Sequence, residues 1–137
     1  FEEYIDSPEE RKYNFIFSAN AIHHMDYLGK MKLYAKIYKE LEHGGLFLNI
    51  DFVLPSSKYT EELQFRMWTD WINENLLKNG FQNEIGNYDQ ISMNYKTKDE
   101  NKPSSLFEQL ETLEKIGFRD VDCFYKYSVF TLFGGVK

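Results

Sequence analysis

Apolar positions along the chain fall into short runs and helical stripes that alternate. Tyr13-Asn14-Phe15-Ile16-Phe17-Ser18 is a short aromatic and apolar run bounded by small and polar residues. It predicts a strand ending at Ser18 and buried on both faces, as in a parallel sheet. Leu28, Met31, Tyr34 or Ala35, Tyr38 and Leu41 then recur at helical spacing, with Lys30, Lys32, Lys36, Lys39 and Glu40 between them. That pattern predicts an amphipathic helix whose lysines form a solvated face. Gly44-Gly45 is expected to stop this helix, and Leu46 through Val53 follows as a second apolar strand. Strand, helix, strand with short joints is normally a right-handed crossover between parallel strands.

After Pro55 the pattern changes. Thr60, Glu61 and Glu62 can start a helix, along which Leu63, Met67 and Trp71 adjoin a second stripe of Phe65, Trp68, Ile72 and Leu76, up to Gly80. A weaker helix would place Ile85, Tyr88, Ile91 and Tyr95 on one side, before a solvated stretch from Lys96 to Lys102. Residues 55–103 therefore read as a helical insertion, and a possible lid, within a single domain spanning 1–137. Ser105 and Glu108 have capping-box spacing ahead of Leu106, Leu110, Leu113 and Ile116, and Gly117 closes that helix. The aromatic and β-branched tail, with a reversal near Lys126-Tyr127-Ser128, predicts a terminal antiparallel hairpin.

Composition narrows the class. The chain has 137 residues, 42% of them hydrophobic and 28% charged, which suits one soluble globular domain. A net charge of −6 with scattered lysines leaves no basic stripe for a phosphate backbone, so no nucleic-acid partner is expected. No apolar run approaches the ~20 residues that span a bilayer, so no membrane partner is expected. A single cysteine, Cys123, cannot form an internal disulfide, and a cytoplasmic location is the expectation. The acidic opening from Phe1 to Arg11 reads as irregular, and the start at Phe1 as a cut one.

Tyr13 through Met25 resembles the fourth strand and following loop of class I methyltransferases that use S-adenosylmethionine. Leu41-Glu42-His43-Gly44-Gly45-Leu46-Phe47 is similar to that family's helix end, double glycine and fifth strand. Leu110 to Lys115, then Ile116-Gly117-Phe118-Arg119-Asp120-Val121, is similar to its last helix, Gly-Phe turn and sixth strand. The resemblance implies an α/β, Rossmann-like methyltransferase sheet, here the C-terminal half with strands 4 to 7, flanking helices and the terminal antiparallel hairpin. It implies S-adenosylmethionine as cofactor, with the backbone at Ser18, Ala19 and Asn20 lining its methionine part, and a small-molecule methyl acceptor. The family's glycine-rich turn after the first strand is missing, since no G-x-G occurs, and Asn14 stands where an acidic residue is usual. A homodimer or an N-terminal segment carrying a G-x-G turn roughly 60 to 80 residues before Tyr13 would complete the domain.

Methyl transfer from a sulfonium is an in-line displacement, so the protein mainly aligns donor and acceptor. The resemblance implies that His23 lies close to the reaction centre. It can act as a general base or substrate contact, or it can simply cap or pack the helix start. His24, next to it, would point about 100° away on a helix and so cannot readily share one metal ion with it. His43 lies a helix away and Cys123 completes no set of four ligands, so no metal site is expected. Asp51 either approaches the acceptor or ends its strand by bonding backbone amides. Trp68 and Tyr88, with Phe65, Trp71 and Met93, would belong to a lid over the acceptor or to a helix pair covering a sheet edge or dimer contact. Two functions are therefore expected to compete: methyl transfer by the intact parent protein, and a cofactor-free, degenerate methyltransferase-like module serving as an interaction or dimerisation unit.

Overall fold

The acidic opening, expected to be irregular, coils into one short helix, α1 (Glu2–Ile5). The two apolar runs become β1 (Tyr13–Ala19) and β2 (Leu41–Phe52), parallel from Phe15 beside Leu46 to Ala19 beside Ile50. Between them lie a 3-10 turn, Ile22–His24, and α2 (Tyr27–Glu40), whose first turn is capped by the Asp26 side chain accepting from the Gly29 N–H at 2.8 Å. The computed structural model describes residues 1–8, 11–96 and 98–137. The side chains of Ser92, Met93 and Lys96 also lie outside the described residues, and with them the expected lid contribution of Met93.

Segment 55–103 carries α3 (Lys58–Lys78), a 3-10 turn at Gln82–Glu84 and α4 (Ile91–Lys96). Ser57 caps α3 and Thr60 stands three residues in, completing the reciprocal bonds, so the helix begins earlier than its Thr-Glu-Glu signal indicated. Ser105 caps α5 (Leu106–Ile116), and Gly117 closes it at φ 118°. The tail is the expected hairpin, β3 (Arg119–Tyr127) and β4 (Phe130–Val136), reversing at Ser128 and Val129. The sheet order is β1-β2-β4-β3, with β4 antiparallel to both of its neighbours. Among the described residues no helix is long and apolar enough to cross a membrane.

Three expectations are corrected. Gly44-Gly45 does not end α2: Leu41 is already extended (φ −70°, ψ 143°) and pairs with Tyr13. The glycines instead serve a close approach, for a Cβ on Gly45 would stand 2.9 Å from the Glu42 carbonyl oxygen and 3.2 Å from that of Asn14. β1 is not buried on both faces, because it is an edge strand; Ile16 joins the core while Phe15 and Phe17 remain 53% and 52% exposed. The buried stripe of α2 is Lys30, Leu33, Tyr34 and Ile37, and Leu28 and Met31 face solvent. Lys30 is thus no part of a solvated face.

Each sheet face has its own core. Against one face α2 and α5 pack Leu33, Tyr34, Ile37 and Leu113 onto Phe47 and Phe133. Against the other, α3 and α4 bring Phe65, Trp68 and Tyr95 to Phe52 and Phe130 at the carboxyl end of β2. The strand end that carries Asp51 is therefore flanked on both sides by helices of different origin, which is where open α/β sheets collect ligands.

Candidate functional site

Asp51 is the penultimate residue of β2 and is 1% exposed, on the face that α2 and α5 cover. The chain leaving β1 reaches it by a sharp turn: Asn20 adopts φ 48° and donates its N–H to the Ile50 carbonyl at 2.9 Å. Ile22, fully buried, then anchors the 3-10 turn in the core and delivers His23. Asp51 Oδ2 accepts the His23 backbone N–H at 2.9 Å, and Oδ1 stands 2.5 Å from His23 Nδ1 while also accepting the Phe52 N–H at 2.9 Å. Two backbone N–H groups and one ring nitrogen meet two oxygens, and an ionised carboxylate can only accept. Nδ1 accordingly carries the hydrogen and Nε2 is left as the basic nitrogen, with no hydrogen-bond partner among the described residues.

Asp51 thus ends its strand by bonding backbone amides, one of its two expected readings, and in addition orients a histidine. His24 stands apart chemically, exposed, with Nδ1 3.2 Å from the Glu100 carbonyl, although its ring lies 4.0 Å from that of His23. The segment after α4 closes over this turn, since the Lys102 N–H donates to the His23 carbonyl at 2.7 Å. Tyr95 approaches from α4, its ring 5.9 Å from His23 and stacked 3.9 Å from Phe52. Burial, and then the Asp51 charge, push the Tyr95 hydroxyl well above the ordinary tyrosine range. That buried hydroxyl has no hydrogen-bond partner among the described residues.

Phe52, Leu54, Phe65, Tyr95 and Pro103 line a largely apolar cavity of about 260 Å³, with Glu61, Asn101 and Lys102 at its polar positions. It borders the histidine turn through Tyr95 and Lys102. Trp68 lies behind this cavity, 6.3 Å from Phe52 and edge-on to Phe130 at 4.9 Å. Tyr88, 43% exposed before α4, makes no described contact with His23. Ser18 is half-buried and Ala19 and Asn20 are exposed at the carboxyl end of β1, on the same sheet edge as the histidine turn. Among the described residues no group of three or more His, Cys, Asp and Glu side chains is placed to hold a metal ion.

Sequence reasoning passed over Tyr95 and Lys30. In sequence Tyr95 belongs only to a weak helical stripe, and nothing local tells which stripe meets a strand end. Lys30 carried a usable signal, because it precedes Leu33, Tyr34 and Ile37 at the spacing of a buried face.

No family model and no curated protein matches the sequence. Solved structures do match. PigF with SAH shares 17% identity at a TM-score of 0.60, over 98% of this chain and 33% of that one. A putative O-methyltransferase from Nostoc punctiforme shares 14% at 0.59, over 98% and 34%. Human N-acetylserotonin methyltransferase in complex with SAM shares 16% at 0.60, over 98% and 32%. At such identities the likeness is one of fold: the sheet and its helices are those of the C-terminal part of a Rossmann-like methyltransferase domain. The chain spans about a third of the length of these structures.

Proposed function

We propose that this chain is the part of an S-adenosylmethionine-dependent methyltransferase that carries the general base, and that the acceptor is a small molecule methylated on a hydroxyl oxygen. The observation that carries the reading is the His23–Asp51 pair at the carboxyl ends of the two parallel strands, with Nδ1 held at 2.5 Å and Nε2 unengaged. A hydroxyl needs to lose its proton as its oxygen attacks, and a neutral imidazole oriented by a carboxylate is suited to take it. Asp51 then stabilises the imidazolium without moving, because its oxygens are already fixed by the backbone N–H groups of His23 and Phe52.

S-adenosylmethionine, when bound, supplies an electrophilic methyl group on a sulfonium. Ser18, Ala19 and Asn20 fit the role of one wall for its methionine part, since they end β1 and begin the turn after it, with Ala19 and Asn20 exposed and Ser18 half-buried. The apolar cavity between Phe52, Phe65 and Tyr95 has room for the acceptor, whose oxygen the unpaired Tyr95 hydroxyl would contact. In this reading α3 and α4, with Trp68 behind them, act as the lid, and the cytoplasm is the setting.

The test is methyl transfer from S-adenosylmethionine to hydroxyl-bearing acceptors by the intact parent protein and by its His23→Gln variant, with cofactor binding followed by calorimetry. The variant is expected to lose about 10²- to 10⁴-fold in rate with binding of the cofactor retained. An unchanged rate rejects His23 as base, and no cofactor binding at high concentration rejects the enzyme reading.

A second reading is favoured by the edge strand. Phe15 and Phe17, stacked at 6.3 Å and half-exposed on β1, are what a cofactor-free interaction module would present to a partner strand. Native mass spectrometry separates the two, since a clean, stable monomer counts against the module.

A further inference from the structure

Lys30 is 2% exposed, one turn into α2, on the buried stripe it shares with Leu33, Tyr34 and Ile37. Burying an ammonium is costly unless its hydrogens are met. Here Nζ donates to the Lys102 carbonyl at 2.5 Å and to Ser104 Oγ at 2.9 Å, so its direct partners are a peptide group and a hydroxyl rather than a carboxylate. Burial pushes the Lys30 ammonium below its ordinary range, and the charges of Asp51, Glu108 and Asp26 oppose that shift.

The residues Lys30 grips are the ones that close on the histidine turn. Lys102 gives its N–H to the His23 carbonyl at 2.7 Å while its own carbonyl takes the ammonium. Two residues earlier, the Glu100 carbonyl meets His24 Nδ1 at 3.2 Å, and two residues later Ser104 accepts the Leu54 N–H at 3.0 Å beside the end of β2. Residues 98–104 form no helix or strand. Their position therefore depends on such isolated bonds, of which the charge-assisted pair from Lys30 is the strongest kind.

We propose that Lys30 is a positioning residue for the His23–Asp51 pair, its buried ammonium pinning segment 100–104 across the histidine turn through the peptide groups of Lys102. This rests on His23 being the base, and it adds the device that keeps the base in register with the strand end. The hydrogen bonds of the Lys30 ammonium go to the Lys102 carbonyl and Ser104 Oγ. Lys30 acts on His23 from behind, through two hydrogen bonds in series.

The experiment is hydrogen exchange and imidazole NMR on Lys30→Met, which keeps the buried aliphatic path and removes only the ammonium. The Lys102 amide and the His23 Nδ1–H are expected to exchange about tenfold faster or more, with the amides of Phe47 and Phe133 protected as in the parent chain. A folded variant in which Lys102 and Nδ1–H exchange at parental rates overturns the proposal, since packing alone would predict that result. Should Lys30→Met fail to fold, Ser104→Ala decides the matter. It removes one of the two acceptors, and about threefold faster exchange at Lys102 is expected, no change being the refuting result. These readouts use no methyl donor or acceptor. Failure of His23 as base would show only in the transfer assay, and failure of Lys30 as pin only in the exchange.

Discussion

Asp51 holds His23 by two separate grips, Oδ2 on the backbone N–H at 2.9 Å and Oδ1 beside Nδ1 at 2.5 Å. The side chain and the main chain of the histidine are thus fixed by one carboxylate that is itself 1% exposed. Asp51→Asn keeps the shape but turns one acceptor oxygen into a donor facing an N–H. Denaturant unfolding is expected to show a loss of about 2–3 kcal/mol, and a loss under about 1 kcal/mol would mean that the grips are weak.

Tyr34, fully buried on α2, donates its hydroxyl to Gln109 Oε1 at 2.6 Å on α5, tying together the two helices that cover Asp51. Tyr34→Phe leaves that oxygen unpaired and should cost about 1–2 kcal/mol at neutral pH. Burial, then Asp51, raise the phenol above its ordinary 10.0, so the neutral form favours the fold. Stability from this group is full below 10.0 and falls as pH rises from there toward the higher folded value. Unfolding followed into the alkaline range should show that decline in the parent chain, with less of it in Tyr34→Phe.

At the start of α5, the Ser105 N–H and hydroxyl both donate to Glu108 Oε2, at 2.9 and 2.8 Å. The backbone bond, then the hydroxyl, hold the Glu108 carboxyl below its ordinary 4.5. A depressed acid stabilises the fold above 4.5, and the contribution fades as pH falls through the lower folded value. Ser105→Ala should cost about 1 kcal/mol near neutral pH. Acid unfolding of Glu108→Gln should lack the corresponding step.

Gly117 ends α5 at φ 118°, and a Cβ there would stand 3.1 Å from the Tyr38 hydroxyl. Gly117→Ala is expected to destabilise by about 1 kcal/mol or more, measured as a lower unfolding midpoint at unchanged slope. A neutral result would place the strain elsewhere.

Phe15 and Phe17 make β1 a candidate for pairing with another strand, in the same chain or in a second copy. If copies of this chain associate there, sedimentation of the parent will show mass rising with concentration, and Phe15→Lys with Phe17→Lys will abolish the rise. A parent whose mass stays constant with concentration removes self-pairing from consideration.

Much of the architecture was legible locally. Alternation of apolar runs with a helical stripe yields β1, α2 and β2, Ser105 with Glu108 marks the start of α5, and the aromatic tail turns back as a hairpin at Ser128 and Val129, at the end of the expected reversal near Lys126-Tyr127-Ser128. The His23 neighbourhood was legible too, as a histidine just beyond a strand end. Periodicity says less about partners than about elements. It reads Lys30 as solvated although that residue faces the core, whereas the exposure of Phe15 and Phe17 already follows from a half sheet with an open β1 flank.

What this sequence determines by itself is where the chain can be helix or strand, because capping, glycine conformation and side-chain period act within a few residues. Tertiary structure alone decided that Asp51, 28 positions after His23, would meet its ring, and that Lys30, 72 positions before Lys102, would hold that residue in place. Each contact joins separate elements whose approach is set by sheet register and helix packing. No local pattern encodes such an approach, and the desolvation that gives these polar groups their strength exists only once the layers have closed.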